Sequence, residues 1–324
     1  MKQIRVHRHG GPETLTLDEV PTPEPGAADV LVRIDSSGVN FIDVYFRTGL
    51  YPGEQPTAIG NEAAGVVAKV GADVTGVKPG DRVAYTMVRG SYAEYAVVPA
   101  DKVVRVPDSV SLDLAAAVML QGTTAHYLTR STFALDSSHT CLVHAAAGGL
   151  GTILVQMAKA TGARVIGTVS TAAKAALIRD LGADEAIVYT EQDFEAETMR
   201  LTGGRGVDVV YDSVGKTTFE KGLKVLRPRG LMALVGQSSG PVAPVDPATL
   251  NRGGSLFLTR PNLGHYLATP EELRWRAGDV LSLVESGALR VLISRTYPLA
   301  EAAQAHRDLE SRTTTGKLLL KVAG

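Results

Sequence analysis

Apolar and polar positions alternate along this chain in two different rhythms. Through the first third, short apolar runs are broken by turn residues. Val30–Ile34, Ala64–Val70 and Arg82–Tyr85 read as strands, and Pro52-Gly53 and Pro79-Gly80-Asp81 as turns. Short strands between turns predict a compact β-rich domain, a partial barrel. The rhythm changes near Ser111, where 111–130 is alanine-rich and helix-like.

From 140 onward, apolar strands alternate with amphipathic helices. The strands fall at 140–145, 163–169, 185–189, 207–212 and 230–235; the helices fall at 150–161, 171–181, 192–202 and 216–226. Such alternation predicts βαβ units around a parallel sheet buried on both faces. Ser255–Thr259 could extend that sheet. Two helix-like stretches follow, at 270–286 and 299–310, and an apolar strand at 317–322 closes the chain. With no nearby partner, that last strand is expected to return to the N-terminal β domain.

Composition narrows the function classes. The chain has 324 residues and a formal net charge of −1, enough for two domains and without the basic stripe of a nucleic-acid binder. Its single cysteine, Cys141, permits no internal disulfide. The N-terminal residues lack a signal-peptide apolar core, and no window is long and apolar enough to span a bilayer. A cytoplasmic globular protein without membrane or nucleic-acid partners is the expectation.

The candidate chemistry lies at His144–Gly151, which reads H-A-A-A-G-G-L-G. Between a strand and a helix it approximates the dinucleotide fingerprint G-x-G-x-x-G, with alanine at the first glycine. Gly148 would let a pyrophosphate approach the backbone, and Gly151 would let helix and strand pack closely. Free amides at the helix N-terminus would hold the anion. After the second strand, Ser170-Thr171-Ala172-Ala173-Lys174 offers a hydroxyl and a cation where an NAD site would carry a carboxylate. That pair suits a 2′-phosphate and favours NADPH over NADH.

Further stretches carry a resemblance. They are His9–Glu13, Gly38–Asp43, Gly49–Pro52, Gly60–Gly65, Gln121–Ala125, His144–Gly151, Tyr211–Gly215 and Gly316-Lys317. Together they resemble the zinc-independent, zeta-crystallin-like quinone oxidoreductases of the medium-chain dehydrogenase/reductase superfamily, nearly end to end. The resemblance implies an α/β protein: a GroES-like β-rich domain from both chain ends (1–124 and 262–324) and an inserted Rossmann domain (125–261). It implies NADPH in the interdomain cleft, with Asn40, Tyr45 and Thr124 near the nicotinamide. Gly148, Gly149, Leu150 and Gly151 would hold the pyrophosphate. Ser170, Lys174, Tyr189 and Arg312 would surround the adenosine ribose and its phosphate. Ser213, Ser238, Ser239, Gly240, Leu258 and Thr259 would line the cofactor elsewhere, and Arg47 and Tyr51 the substrate mouth.

Zinc dehydrogenases share this scaffold, but here asparagines stand at two of their ligand positions, Asn40 and Asn61, and no cysteine quartet exists. No metal is expected: His7 and His9 sit two apart and could chelate one but read as a solvent-facing pair, and His126, His139, His265 and His306 form no ligand spacing. The chemistry left is hydride or one-electron reduction of an acceptor that is already electron-poor, with Asn40 and Tyr45 as candidate donors to the developing oxyanion and the proton from Tyr45, a ribose hydroxyl or water. The first reading is an NADPH:quinone reductase. An enone or alkenal reductase and a non-catalytic NADPH-binding structural protein remain open. An exposed apolar edge near 255–259 would pair two copies into a homodimer.

Overall fold

The computed structural model describes residues 1–322, which divide into two compact units. One unit holds Met1–Thr123 and the chain from Leu267 onward; the other holds Thr124–Tyr266. Residues 262–266 therefore lie with the second unit, where the Tyr266 ring stacks on Tyr127 at 4.1 Å.

The first unit is built on the 11-residue strand Asp29–Val39. Its residues 30–37 pair antiparallel with Glu62–Val70, which in turn pairs with Arg82–Thr86. Along its other edge, residues 29–33 pair with Tyr95–Pro99 and residues 36–39 with Lys317–Lys321. The closing strand thus returns to the N-terminal sheet as expected, but it also has a partner close in sequence, pairing parallel with Ile293–Pro298, a strand the sequence reading does not name. Val30, Val32 and Ile34 alternate into a core with Val67, Val83 and Val98. Leu318, Leu320 and Val39 pack on a second cluster with Ile4, Val6 and Tyr92.

The strand-and-turn reading does not name strands such as Lys2–Val6 and Tyr95–Pro99, nor the helix Phe41–Thr48. Asn40 is its N-cap, and the Asp43 carboxylate accepts the Asn40 amide at 2.9 Å. Gly49 ends it at φ +79°, a left-handed conformation that favours glycine.

The second unit is a six-stranded, all-parallel sheet. Its strand order is Glu185–Val188, Arg164–Val169, Thr140–Val143, Val207–Asp212, Leu226–Leu234, Phe257–Thr259. The order reverses beside Thr140–Val143, which makes the carboxyl end of that strand the switch point of a doubly wound fold.

Two expected boundaries shift. The helix expected over 216–226 is only Phe219–Lys224, and the strand expected from 230 begins at Leu226. The buried Asp212 carboxylate causes the late start. It accepts the amides of Val214 and Gly215 and the Thr218 hydroxyl, and so holds the chain in a turn after its strand. Strand Thr140–Val143 also stops before His144, because Ala145 turns the chain at φ +51°.

Candidate functional site

The glycine turn sits at the switch point. Gly148 is the N-cap of the helix Gly149–Ala160, and no side chain caps it. The first intrahelical bond there runs from Thr152 N to Gly148 O at 2.9 Å. The N–H groups of Gly149, Leu150 and Gly151 are therefore the helix's unclaimed donors. A Cβ on Gly151 would lie 2.3 Å from Ala145 O, so only glycine fits where the helix presses on the turn. A Cβ on Gly148 would meet only that same oxygen, at 3.2 Å. The cradle of bare amides and missing side chains fits a pyrophosphate. His144 is buried beneath it, its Nδ1 2.9 Å from the Thr168 hydroxyl and its ring edge-on to Phe194. Burial lowers its pKa, so the imidazole is neutral.

The same carboxyl edge gathers two groups of expected residues. Ser170 follows the strand Arg164–Val169; its carbonyl accepts the Thr190 hydroxyl at 3.0 Å, and Val169 O accepts the Tyr189 amide at 3.0 Å. Lys174 lies on the first turn of the helix Ala172–Asp180, capped by the Thr171 hydroxyl, and partial burial lowers its pKa. Ser213 is joined to the loop that carries Ser238, Ser239 and Gly240. Ser238 N donates to Ser213 O at 3.3 Å, and the Ser239 hydroxyl donates to Val214 O at 2.8 Å. Leu258 and Thr259 are half-buried on the last strand, and Thr124 is buried on the helix Leu112–Tyr127.

In the other unit the structure builds something the sequence reading did not assign. Lys317 and Glu62 form an ion pair at 2% and 0% side-chain exposure. The Lys317 ammonium also donates to Asn40 Oδ1 at 2.8 Å. Glu62 accepts Asn40 Nδ2 at 2.6 Å and Leu120 N at 2.6 Å, and Gln121 Nε2 donates to Asn40 Oδ1 at 3.1 Å. An ammonium only donates and a carboxylate only accepts, so the pair dictates which way the Asn40 amide faces. Gly38 makes room for it, since a Cβ there would strike the Glu62 carboxylate.

Asn40 was expected to donate to a substrate oxyanion. Its Nδ2 is instead committed to Glu62 and to Gly38 O at 3.3 Å, with the residue 4% exposed. Its role in this geometry is to hold the Lys317–Glu62 pair. Asn61, the other asparagine at a zinc-ligand position, donates to Asp43 Oδ1 at 2.7 Å.

A hydrogen-bonded chain leads on from Asp43. Tyr92 donates to Asp43 Oδ2 at 3.1 Å and lies 3.2 Å from His306 Nε2. Arg47 Nη1 lies 3.0 Å from His306 Nδ1. A guanidinium cannot accept, so Nδ1 does, and the imidazole proton sits on Nε2 facing the Tyr92 oxygen. Burial, with Arg47 beside it, pushes the His306 pKa down to about 3. Arg47 also bonds Gly10 O and Glu310, at 3.1 and 2.6 Å. At 2% exposure it cannot line a substrate mouth, which corrects the expectation; the salt bridge and the histidine claim it. Tyr51 stays half-buried against the rings of Tyr45 and Phe46, at 5.2 and 5.6 Å. Arg312 lies in the turn after the helix Ala302–Glu310, at φ +62°. Among the described residues, no group of three or more His, Cys, Asp or Glu side chains could hold a metal ion.

Asp43, Glu62, Gln121 and Lys317 all lie within the recognised stretches, yet nothing local assigned them a role. The available signal was a charged residue directly before an apolar run, at Glu62 and again at Lys317.

Comparison with known proteins agrees with this architecture. Residues 26–108 match the family model described as the alcohol dehydrogenase GroES-like domain, and residues 181–320 that described as zinc-binding dehydrogenase. The chain is 46% identical to the quinone oxidoreductase of Pseudomonas aeruginosa, over 98% of this chain and 99% of that one. It is 42% identical to the 2-haloacrylate reductase of a Burkholderia species, over 97% of both. The solved structure of Escherichia coli quinone oxidoreductase complexed with NADPH superposes with a TM-score of 0.98 at 44% identity, covering 99% of this chain and 100% of that one.

Two predictions follow from the buried groups. Lys317→Met strands the Glu62 carboxylate without its counter-ion and should lower unfolding free energy by about 3–5 kcal/mol. Adding Glu62→Gln should restore more than half of that in urea denaturation. Burial raises the Asp43 pKa to about 6, against the hydrogen bonds from Asn61, Asn40 and Tyr92 and the charge of Lys317. The folded state then holds a proton that the unfolded state has released between about pH 4 and 6. This group therefore adds stability as pH falls from 7.5 to 4.5, by about 2 kcal/mol. Denaturation of Asp43→Asn at both pH values should lack that increment.

Proposed function

The chain belongs to the zinc-independent quinone oxidoreductase branch of the medium-chain dehydrogenase/reductase superfamily, and from that membership we propose how its own residues serve an NADPH-dependent reduction of quinones. The observation that carries the reading is the uncapped helix N-terminus at Gly148–Gly151, in a chain similar over its length to a quinone oxidoreductase solved with NADPH.

When bound, NADPH supplies the hydride. The amides of Gly149, Leu150 and Gly151 hold its pyrophosphate by backbone dipoles. Ser170 and Lys174 receive the 2′-phosphate, and Tyr189, 45% exposed beside them, covers the adenosine. Ser213, Ser238, Ser239 and Gly240, with Leu258 and Thr259, form the wall beyond the turn. Tyr45 and Tyr51 offer tilted ring faces to a flat acceptor, and the proton comes from the Tyr45 hydroxyl, a ribose hydroxyl or water. Asn40 is a positioning residue whose amide fixes the Lys317–Glu62 pair beside them.

A second acceptor class has specific support in the 42% identity to a 2-haloacrylate reductase, an enzyme named for an activated alkene. NADPH oxidation followed with 1,4-quinones, 1,2-quinones, alkenals and 2-haloacrylates separates the two. The quinone reading expects kcat/KM to be highest for a quinone, and a preference for the alkenes would replace it.

Two finer assignments belong to this reading. The chain acts in the cytoplasm, consistent with one buried cysteine and no helix long and apolar enough to cross a membrane among the described residues. It also forms a homodimer through the strand Phe257–Thr259. That strand ends the sheet, pairs along one edge with Leu231–Ala233, and leaves Phe257 61% exposed.

Lys174→Ala should weaken NADPH by about 1.5–3 kcal/mol, about ten- to a hundredfold in Kd, and NADH hardly at all. Equal losses for both would remove Lys174 from the phosphate site. Phe257→Lys should shift the mass measured by light scattering from two chains to one; an unchanged dimer would place the interface elsewhere.

A further inference from the structure

The second unit carries a basic cavity at the opposite end of its sheet from the glycine turn. Thr140, Asp208 and Arg227 each lie at or next to the amino-terminal start of a strand, whereas the turn lies at the carboxyl ends. The cavity measures about 580 Å³ and is lined by Ser138, His139, Arg205, Asp208, Arg227 and Arg229, with Pro228 between the last two.

Asp208 organises it. The side chain is 1% exposed, and its oxygens accept Thr140 N at 2.8 Å, Arg205 Nη1 and Nη2 at 3.1 and 2.8 Å, and Arg227 Nε at 2.5 Å. Burial works to raise its pKa, but the bonds from Arg205, Arg227 and Thr140 outweigh it and hold it at about 2. The carboxylate's acceptor capacity is thereby filled, while each guanidinium keeps further N–H donors. Arg227 spends one of them on Pro228 O at 2.7 Å, and Arg205 remains half exposed.

The third arginine arrives by an irregularity. Val207 pairs with Leu226, but Val209 pairs with Leu231, so three extra residues bulge from the partner strand. Arg229 sits in that bulge at φ +59°, where glycine would be at ease, with its amide bonded to Gly254 O at 2.8 Å. Its guanidinium is exposed and has no partner among the described residues. Against these three cations stand Asp208, already saturated, and Asp136 at the rim, bonded to Ser138 and 3.0 Å from His139 Nδ1. The lining is net positive.

We propose that this cavity is a binding site for a small phosphorylated molecule, held by guanidinium forks and separate from the amide cradle of the cofactor. Arginine forks match phosphate oxygens two at a time. Three arginines lining one pocket offer more forks than a lone anion takes, which points to a diphosphate or a phosphate ester. This inference does not depend on which acceptor the enzyme reduces.

The test uses the full chain saturated with NADPH, so that the glycine turn is filled, titrated calorimetrically with inorganic pyrophosphate at physiological salt. One site per chain is expected. Arg229→Gly is the informative variant, because glycine suits the left-handed backbone and folding should be unharmed or improved. It should weaken pyrophosphate about tenfold, as loss of one charge-assisted contact predicts, with partial recovery in Arg229→Lys. Arg205→Gln should weaken it similarly while NADPH affinity is unchanged. No heat from the NADPH-saturated chain, or equal affinity in wild type, Arg229→Gly and Arg205→Gln, would overturn the proposal.

Discussion

A buried ammonium and a buried carboxylate cannot be left apart. Lys317 and Glu62 lie 255 residues apart in sequence, and each is sealed from water. Stripping either charge of its partner costs several kcal/mol. That penalty binds the closing strand to the strand Glu62–Val70, although the two do not pair directly; Asp29–Val39 runs between them. The pair also sets the facing of Asn40, and Asn40 begins the helix that carries Asp43, Tyr45 and Arg47. The polar interior of this unit thus depends on one electrostatic requirement being met at a single point.

The second unit handles charge in the opposite way. At the glycine turn there is no fixed counter-ion, only unclaimed amides and the dipole of a 12-residue helix. On the proposed reading those amides take a pyrophosphate without a desolvated lysine or arginine. On the same reading, selectivity between nucleotides falls to a side chain at the periphery, the half-buried Lys174.

Legibility in the sequence follows the range of the interactions. The parallel strands could be read because each centres on an apolar run, such as Cys141–Val143 and Val209–Tyr211, and helices of ordinary length separate them. The glycine turn could be read because its chemistry lies within eight consecutive residues, His144–Gly151. The helix Phe41–Thr48 was hidden by its β-rich surroundings, although Asn40, Asp43 and Gly49 mark both of its ends. The late helix Phe219–Lys224 was misjudged because the Asp212 carboxylate diverts the backbone into a turn, a local competition that apolar periodicity does not record. Arg47 was placed at a substrate mouth because nothing near it in sequence shows that His306 and Glu310 lie waiting. Long-range partners of buried charges are what a single sequence conceals most completely.

This concealment bears on how the scaffold can dispense with a metal. Replacing ligands by Asn40 and Asn61 does not simply leave a gap, because each amide brings donors and acceptors that must also be satisfied. Asn40 is satisfied by an ammonium, a carboxylate, a carbonyl and Gln121; Asn61 donates to Asp43. Several of those partners arise from distant parts of the chain, so the substitutions are tolerable only as a set. Returning one asparagine to a cysteine or histidine would therefore remove a hydrogen bond from Lys317 and Glu62, or from Asp43, before it recruited any ion.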